Sequence, residues 1–201
     1  MNIGLLGFGV VGGGVWELAQ ENRALNVKKV LVRRETPSLG KAAVQDVEAI
    51  LRDTEIDTVV EVLGGLHPAY EWICRALAAG KDVVTANKAV ISAYYRELTA
   101  LAHENGAALR CTAAVGGGIP WLVNLQRCRR VDTVTEVGGI MNGTTNFIMD
   151  AMARQGADFP AVLQRAQELG YAEADPSADI DGDDIRRKLT ISANIAFDTL
   201  L

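Results

Sequence analysis

The chain is short of cysteine, of histidine and of long apolar runs, and each shortage argues against a class of protein. Cys74, Cys111 and Cys128 are scattered and odd in number, which argues against a disulfide framework and suits a reducing compartment. No histidine motif accompanies Cys111, so a small buried hydrophobe is a stronger reading there than a thiol nucleophile. His67 and His103 stand alone on or beside predicted helices and read as structural or solvated. No apolar stretch approaches the roughly 20 residues that span a membrane, and no charged segment precedes an apolar one at the N-terminus. A cytoplasmic protein without a membrane partner is expected. Basic excess is missing too: a net charge of −5 argues against nucleic acid or an anionic membrane surface as a partner. What is present, 49% hydrophobic residues with 20 glycines in 201, describes a globular α/β protein with ample core.

The N-terminus supplies the first motif. Asn2–Leu6 reads as a short apolar strand, followed by Gly7, Phe8, Gly9, Val10, Val11 and Gly12 and a helical run to about Glu21. Strand, glycine turn and helix are the context a dinucleotide fingerprint requires. Gly7 permits the turn, Gly9 admits a pyrophosphate to the backbone, and Gly12 lets the helix pack on the sheet. The helix N-terminus then offers N–H groups to the anion. Gly13 and Gly14 have no part in that scheme and should each weaken the helix by roughly 1 kcal/mol relative to alanine. The second strand, Val27–Val32, ends at Arg33 and Arg34, where an NAD site usually carries an acid. Arginine suits a ribose 2′-phosphate, so NADP is the expected cofactor. Glu35 keeps NAD open, and two merely solvated arginines are the plain alternative.

Strand and helix then alternate. Asp57–Leu63 reads as a strand ending at Gly64 and Gly65, His67–Ala79 as a helix, Asp82–Thr85 as a strand, Ser92–Glu104 as a helix and Ala107–Cys111 as a strand. Such βα units imply a doubly wound parallel sheet with its ligand at the carboxyl ends of the strands. Gly64 and the Thr85-Ala86-Asn87-Lys88 segment fall at such ends. A lysine there can orient a carboxylate or cofactor, or share in proton transfer; by position alone it is equally an exposed loop lysine. From Val131 the pattern changes. Val131–Ile140 alternates like a half-buried strand, and the stretch from Met141 to Phe147 leads into a helix through Met152. Asn142-Gly143 makes a tight turn, and Thr144 can cap the helix. A domain boundary is therefore expected between residues 130 and 131.

Residues 166–188 are the most informative stretch. They set a run of acids (Glu173, Asp175, Asp179, Asp181, Asp183 and Asp184) beside bases ending in Lys188. From about Asp183 the segment reads as helix, with Ile185, Leu189 and Ile195 as its apolar stripe. Asp184 and Lys188 are four apart and share a face, their Cβ atoms roughly 5–6 Å from each other. A surface ion pair beside capping acids is the plain reading. The order A-x-x-x-G-Y-x-x-x-D-P-x-x-D-I-x-G-x-D-x-x-x-K, from Ala166 through Gly170, Tyr171, Asp175, Pro176, Asp179, Ile180, Gly182 and Asp184 to Lys188, resembles the signature segment of homoserine dehydrogenases. Ala86-Asn87-Lys88 is similar to that family's A-N-K motif, and Asn142–Phe147 to its N-G-T-T-N-Y element, with Phe147 replacing tyrosine. The resemblance covers nearly the whole chain.

It implies NAD(P)-dependent interconversion of L-homoserine and L-aspartate 4-semialdehyde, a step toward threonine and methionine. It makes Lys188 the proton donor and acceptor and places Lys88 by the nicotinamide and substrate. Glu173, Asp179, Asp184 and Thr144 would hold the substrate. Gly7 to Gly12, Arg33, Arg34, Gly64, Lys88 and the Gly170 backbone would hold the cofactor. In the loop from Ala113 to Pro120, the carbonyls of Val115, Gly117 and Ile119 would bind a monovalent cation such as Na+. Thr112 stands where the family carries a glutamate, and a neutral hydroxyl is a poorer ligand, so weak cation binding or none is expected. The implied fold is a Rossmann-type domain over residues 1–130 followed by an incomplete α+β substrate and dimerisation domain over residues 131–201. A homodimer or larger homo-oligomer is implied for the complete domain.

The end, Ile195 to Leu201, reads as an apolar helix without cap or polar tail, and the family continues beyond it. A fragment, or a chain that needs a partner, is the expectation. Two other readings stand beside the first. One is a non-catalytic dinucleotide-binding module. The other is a different Rossmann oxidoreductase of an amino acid or semialdehyde, for which no convincing cysteine nucleophile is present.

Overall fold

A computed structural model describes residues 1–199 of the chain. They divide into two compact units, one of Met1–Trp121 and one that begins at Leu122, so the division falls ahead of the expected boundary at residue 130.

The first unit is a six-stranded parallel sheet. Its strands are β1 (Asn2–Leu6), β2 (Asn26–Leu31), β3 (Ala43–Val44), β4 (Thr58–Glu61), β5 (Asp82–Thr85) and β6 (Leu109–Arg110), in the order β3-β2-β1-β4-β5-β6. The order reverses between β1 and β4, which makes their carboxyl ends the switch point where open α/β sheets bind ligands. Helices α1 (Val10–Glu21), α2 (Glu48–Leu51), α3 (Ala69–Ala78) and α4 (Lys88–Glu104) connect the strands.

Alternation along β1 shows both faces in use. Ile3 and Leu5 join Val15, Trp16 and Ala19 of α1 in one apolar cluster. A Cβ on Gly4, pointing the other way, would collide with Ile50 of α2 and press on Ile56. Side chains as large as Leu5, Leu6, Ile50, Ile73, Leu77 and Ile91 are fully buried, each contributing about 1.5–3 kcal/mol of apolar transfer energy. The doubly wound reading holds. Element ends shift by a few residues, the largest change being α4, which starts at Lys88 rather than Ser92 because the Asn87 side chain accepts from the Val90 N–H and caps it.

The second unit is helical among the described residues. It takes in α5 (Trp121–Cys128) from its second residue, then α6 (Gly143–Gln155), α7 (Phe159–Glu168), α8 (Ser177–Ile180) and α9 (Asp183–Phe197). α6 and α7 share a core of Ile148, Ala151, Val162 and Ala166, closed by Ala172. Gly156, left-handed at φ 62°, ends α6, and the Asp158 carboxylate caps α7 by accepting from the Ala161 N–H.

Two expectations fail here. Val131–Ile140 is not a strand: it is irregular and mostly exposed, with Val131 and Ile140 over 80% accessible. Alternation alone does not make a strand; a ladder partner must satisfy its backbone, and the described residues of this unit supply none. The stripe on α9 is also different. Leu189 is exposed and Ile185 half-buried, whereas Asp184, Ile191 and the residues through Ala196 are buried. α9 ends at Phe197 with Asp198 left-handed, and the expected helical residues Leu200 and Leu201 lie outside the described residues.

Candidate functional site

The turn after β1 is built to let something approach its backbone. Gly7 sits at φ 105°, a conformation side chains disfavour, and a Cβ on Gly12 would overlap the Gly7 carbonyl oxygen. A Cβ at Gly9, Gly13 or Gly14 would meet nothing within 4 Å, so the space outside the turn is open. Gly9 is the N-cap of α1 and offers no side-chain cap, so the first-turn N–H groups receive no acceptor from it. Val10 and Val11 are exposed beside them, and Phe8 packs edge-on against Trp16 at a centroid distance of 6.4 Å. Glycines where a Cβ would clash, and an uncapped helix start, fit a pyrophosphate.

At the end of β2, Arg33 and Arg34 are exposed. Next to them lies a cavity of about 590 Å³, lined by Val32, Glu35, Thr36, Pro37, Gly40, Ala43 and Gln45. The acid, not the arginines, lines that cavity.

The ends of β4 and β5 are tied together by Glu61, a residue to which the sequence assigned no role. Glu61, the last residue of β4, is fully buried. It accepts from the Thr85 hydroxyl at 2.6 Å, the Leu63 N–H at 2.8 Å and the Asn87 amide at 3.4 Å. The Asn87 amide also donates to the Gly65 carbonyl at 2.7 Å. An acid closing the apolar run Thr58-Val59-Val60-Glu61 was the available signal, since charges are rarely buried without purpose. Lys88 is half-buried at the first position of α4, so it is a helix residue at a strand end and not a loop lysine. Gly64 and Gly65 are left-handed, at φ 76° and 73°.

The loop after β6 turns through Gly116 and Gly117, both at positive φ. The Ile119 carbonyl accepts from the Trp121 N–H at 2.7 Å, and the Val115 residue is buried. Cys111 is buried, and desolvation pushes its thiol up to about 11, which suits packing and not nucleophilic chemistry. His67 is exposed and paired with Glu71 at 2.6 Å, and His103 is exposed near the end of α4.

In the second unit the predicted polar residues converge on Asn142. Its side-chain N–H₂ donates one hydrogen to Asp179 Oδ1 at 2.7 Å and the other to Asp184 Oδ2 at 2.9 Å. Its Oδ1 accepts from the Thr145 N–H at 2.8 Å, capping α6. Thr144 Oγ1 lies 2.6 Å from the Tyr171 carbonyl and 2.9 Å from Asp179 Oδ2, and its single hydrogen serves one of them at a time. Lys188 Nζ is 2.7 Å from Asp184 Oδ2 and donates to the Met141 carbonyl at 2.7 Å. With side-chain exposures of 19% and 5%, Lys188 and Asp184 form no ordinary surface pair.

Asp179, Asp184, Thr144 and Lys188 are thus brought together, through an asparagine assigned only a turn from the sequence. Glu173 is exposed and outside this network. The other acids have local duties. Hydrogen bonds from the Ser177 side chain and then its backbone N–H hold the Asp175 carboxyl below the usual range, while Asp183 pairs with Arg186. Gly170, at φ 78°, terminates α7, its N–H bonded to the Gln167 carbonyl.

Comparison with known proteins adds the family. Residues 7–112 match the homoserine dehydrogenase NAD-binding domain, and residues 120–201 match homoserine dehydrogenase. The chain is 44% identical to the homoserine dehydrogenase of a Synechocystis species and 42% identical to that of Corynebacterium glutamicum, over 98% and 99% of its own length and 48% of theirs. It therefore spans about half the length of the curated relatives it matches. A crystal structure of homoserine dehydrogenase from Thiobacillus denitrificans superposes with a TM-score of 0.91 at 40% identity, covering 98% of this chain and 49% of that one. A hyperthermophilic archaeal homoserine dehydrogenase in complex with NADPH superposes at 0.83 and 27% identity, covering 99% and 70%. With the glycine turn inside one match and the Asn142–Lys188 network inside the other, the chain belongs to the homoserine dehydrogenase family.

Proposed function

We propose that this protein acts as an NAD(P)-dependent oxidoreductase interconverting L-homoserine and L-aspartate 4-semialdehyde, on the route to threonine and methionine. The observation that carries the reading is the Lys188–Asp184 pair, held through Asn142 to Asp179. When bound, the nicotinamide accepts or supplies the hydride. Lys188 takes the proton from the substrate hydroxyl on oxidation and returns it to the carbonyl oxygen on reduction. Asp184 and the Met141 carbonyl fix the direction of its Nζ. Asp179, Asp184 and Glu173 offer carboxylates to the substrate ammonium, Thr144 adds a hydroxyl, and Lys88 faces the carboxylate or cofactor. The Gly7–Gly12 turn cradles the pyrophosphate, with Gly64 and the Gly170 backbone as further cofactor contacts.

Arg33 and Arg34 support NADP, whereas Glu35 in the neighbouring cavity leaves NAD as a substitute. The Val115, Gly117 and Ile119 carbonyls would give at most a weak site for a monovalent cation, since Thr112 supplies no charge. A cytoplasmic location, and a homodimer or larger homo-oligomer of the complete domain, complete the proposal. The test is a spectrophotometric assay with L-homoserine and NADP or NAD, comparing wild type with Lys188→Ala. Turnover is expected to vanish in the variant while NADP affinity stays nearly intact; a parallel loss of cofactor binding would remove Lys188 from the proton-transfer role.

A further inference from the structure

Glu61 is in register with Leu6 on one side and Thr85 on the other, at the switch point of the sheet. Burial of a carboxylate is unfavourable unless its partners compensate, and the Leu63 N–H, the Thr85 hydroxyl and the Asn87 amide all donate to Glu61. An apolar side chain of similar size would fill the same space without that cost. What the acid supplies instead is acceptance. The Leu63 N–H belongs to the turn after β4, the Thr85 hydroxyl to the last residue of β5, and the Asn87 amide to the turn that follows β5. The Thr85 oxygen accepts from the Asn87 N–H at 2.9 Å, so the Thr85 hydrogen is directed to Glu61. Asn87 then reaches Gly65 with its amide and caps α4 with its oxygen.

Two consecutive left-handed glycines with nothing within 4 Å of their Cβ positions would otherwise sample many conformations. Lys88 follows Asn87 directly. Building on the dinucleotide reading above, we propose that Glu61 is a positioning residue: its carboxylate locks the Gly64–Gly65 turn and the Asn87–Lys88 turn into one arrangement before the ligand arrives. Preorganisation of this kind removes an ordering cost from binding.

The test compares the purified chain with Glu61→Gln, whose amide would set a donor against a donor. NADPH is titrated by fluorescence well below both melting temperatures, and backbone amide exchange is followed at Leu63 and Val90. NADPH binding is expected to weaken roughly 10- to 100-fold, the loss of a charged hydrogen bond, with faster exchange at both amides and unchanged exchange in β1. If Glu61→Gln does not fold, Thr85→Val takes its place, with a shift of about threefold or more in the same direction. Binding within about twofold of wild type, or unchanged exchange at Leu63 and Val90, overturns the proposal. A wild-type chain that fails to bind NADPH would refute the cofactor reading instead, and the exchange rates alone would then decide the role of Glu61.

Discussion

Lys188 follows an acid by four residues on a helix, and so do Arg52 after Glu48 and Arg154 after Asp150. Spacing does not separate them; exposure does, because the arginines are about 80% accessible and screened by water whereas the Lys188–Asp184 pair is largely withdrawn from it. Asn142 extends the difference, since both its amide hydrogens are spent on carboxylates. Asn142→Ala removes these bonds and a helix cap together. It should destabilise the second unit by about 2–4 kcal/mol, readable as a lower urea midpoint, and abolish homoserine turnover in the assay above.

Cysteine behaves by the same rule of environment. With Cys111 raised to about 11 by burial, about one thiol in a thousand is ionised at pH 8. Iodoacetamide at that pH should label the exposed Cys128 and spare Cys111 until the protein is unfolded, as mass spectrometry of the labelled peptides would show. Raising the pH toward 11 increases the thiolate fraction at Cys111, so protection that persists there reports inaccessibility alone.

Local elements were legible wherever a short-range rule fixed them. β1, the glycine turn and α1 fall where the sequence put them, because turn geometry and apolar spacing act over a few residues. α4 starts earlier than its apolar spacing indicates because its first turn is set by the Asn87 cap. The supposed strand at Val131–Ile140 failed for the opposite reason: its alternation is local, but a strand is a pairing between segments. Gly4 is an element-level requirement that periodicity hides, reading merely as a weak strand residue until Ile50 is seen against it. Gly4→Ala should cost about 1–3 kcal/mol through overpacking against α2, measured as a fall in melting temperature. Its neighbour in kind, Gly13, meets open space and should tolerate alanine in the same measurement.

At the scale of the whole molecule, the first unit carries its own sheet, its own apolar cluster and the complete glycine turn. Residues 1–121 expressed alone should fold and bind NADPH with a dissociation constant within about tenfold of the 201-residue chain. Turnover should be absent, because Lys188 and Asp184 belong to the second unit. Failure of the shortened chain to bind would assign the cofactor contacts to Gly170 and its surroundings.

The sequence by itself determined the βα alternation, the dinucleotide turn and the acid–base spacing on α9, since each rests on residues at most a few positions apart. Tertiary structure decided which polar groups work together. Asn142 meets Asp184 across 42 residues, and Glu61 meets Thr85 across 24. Such bonds depend on how strands and helices pack, and no local pattern in the chain encodes that.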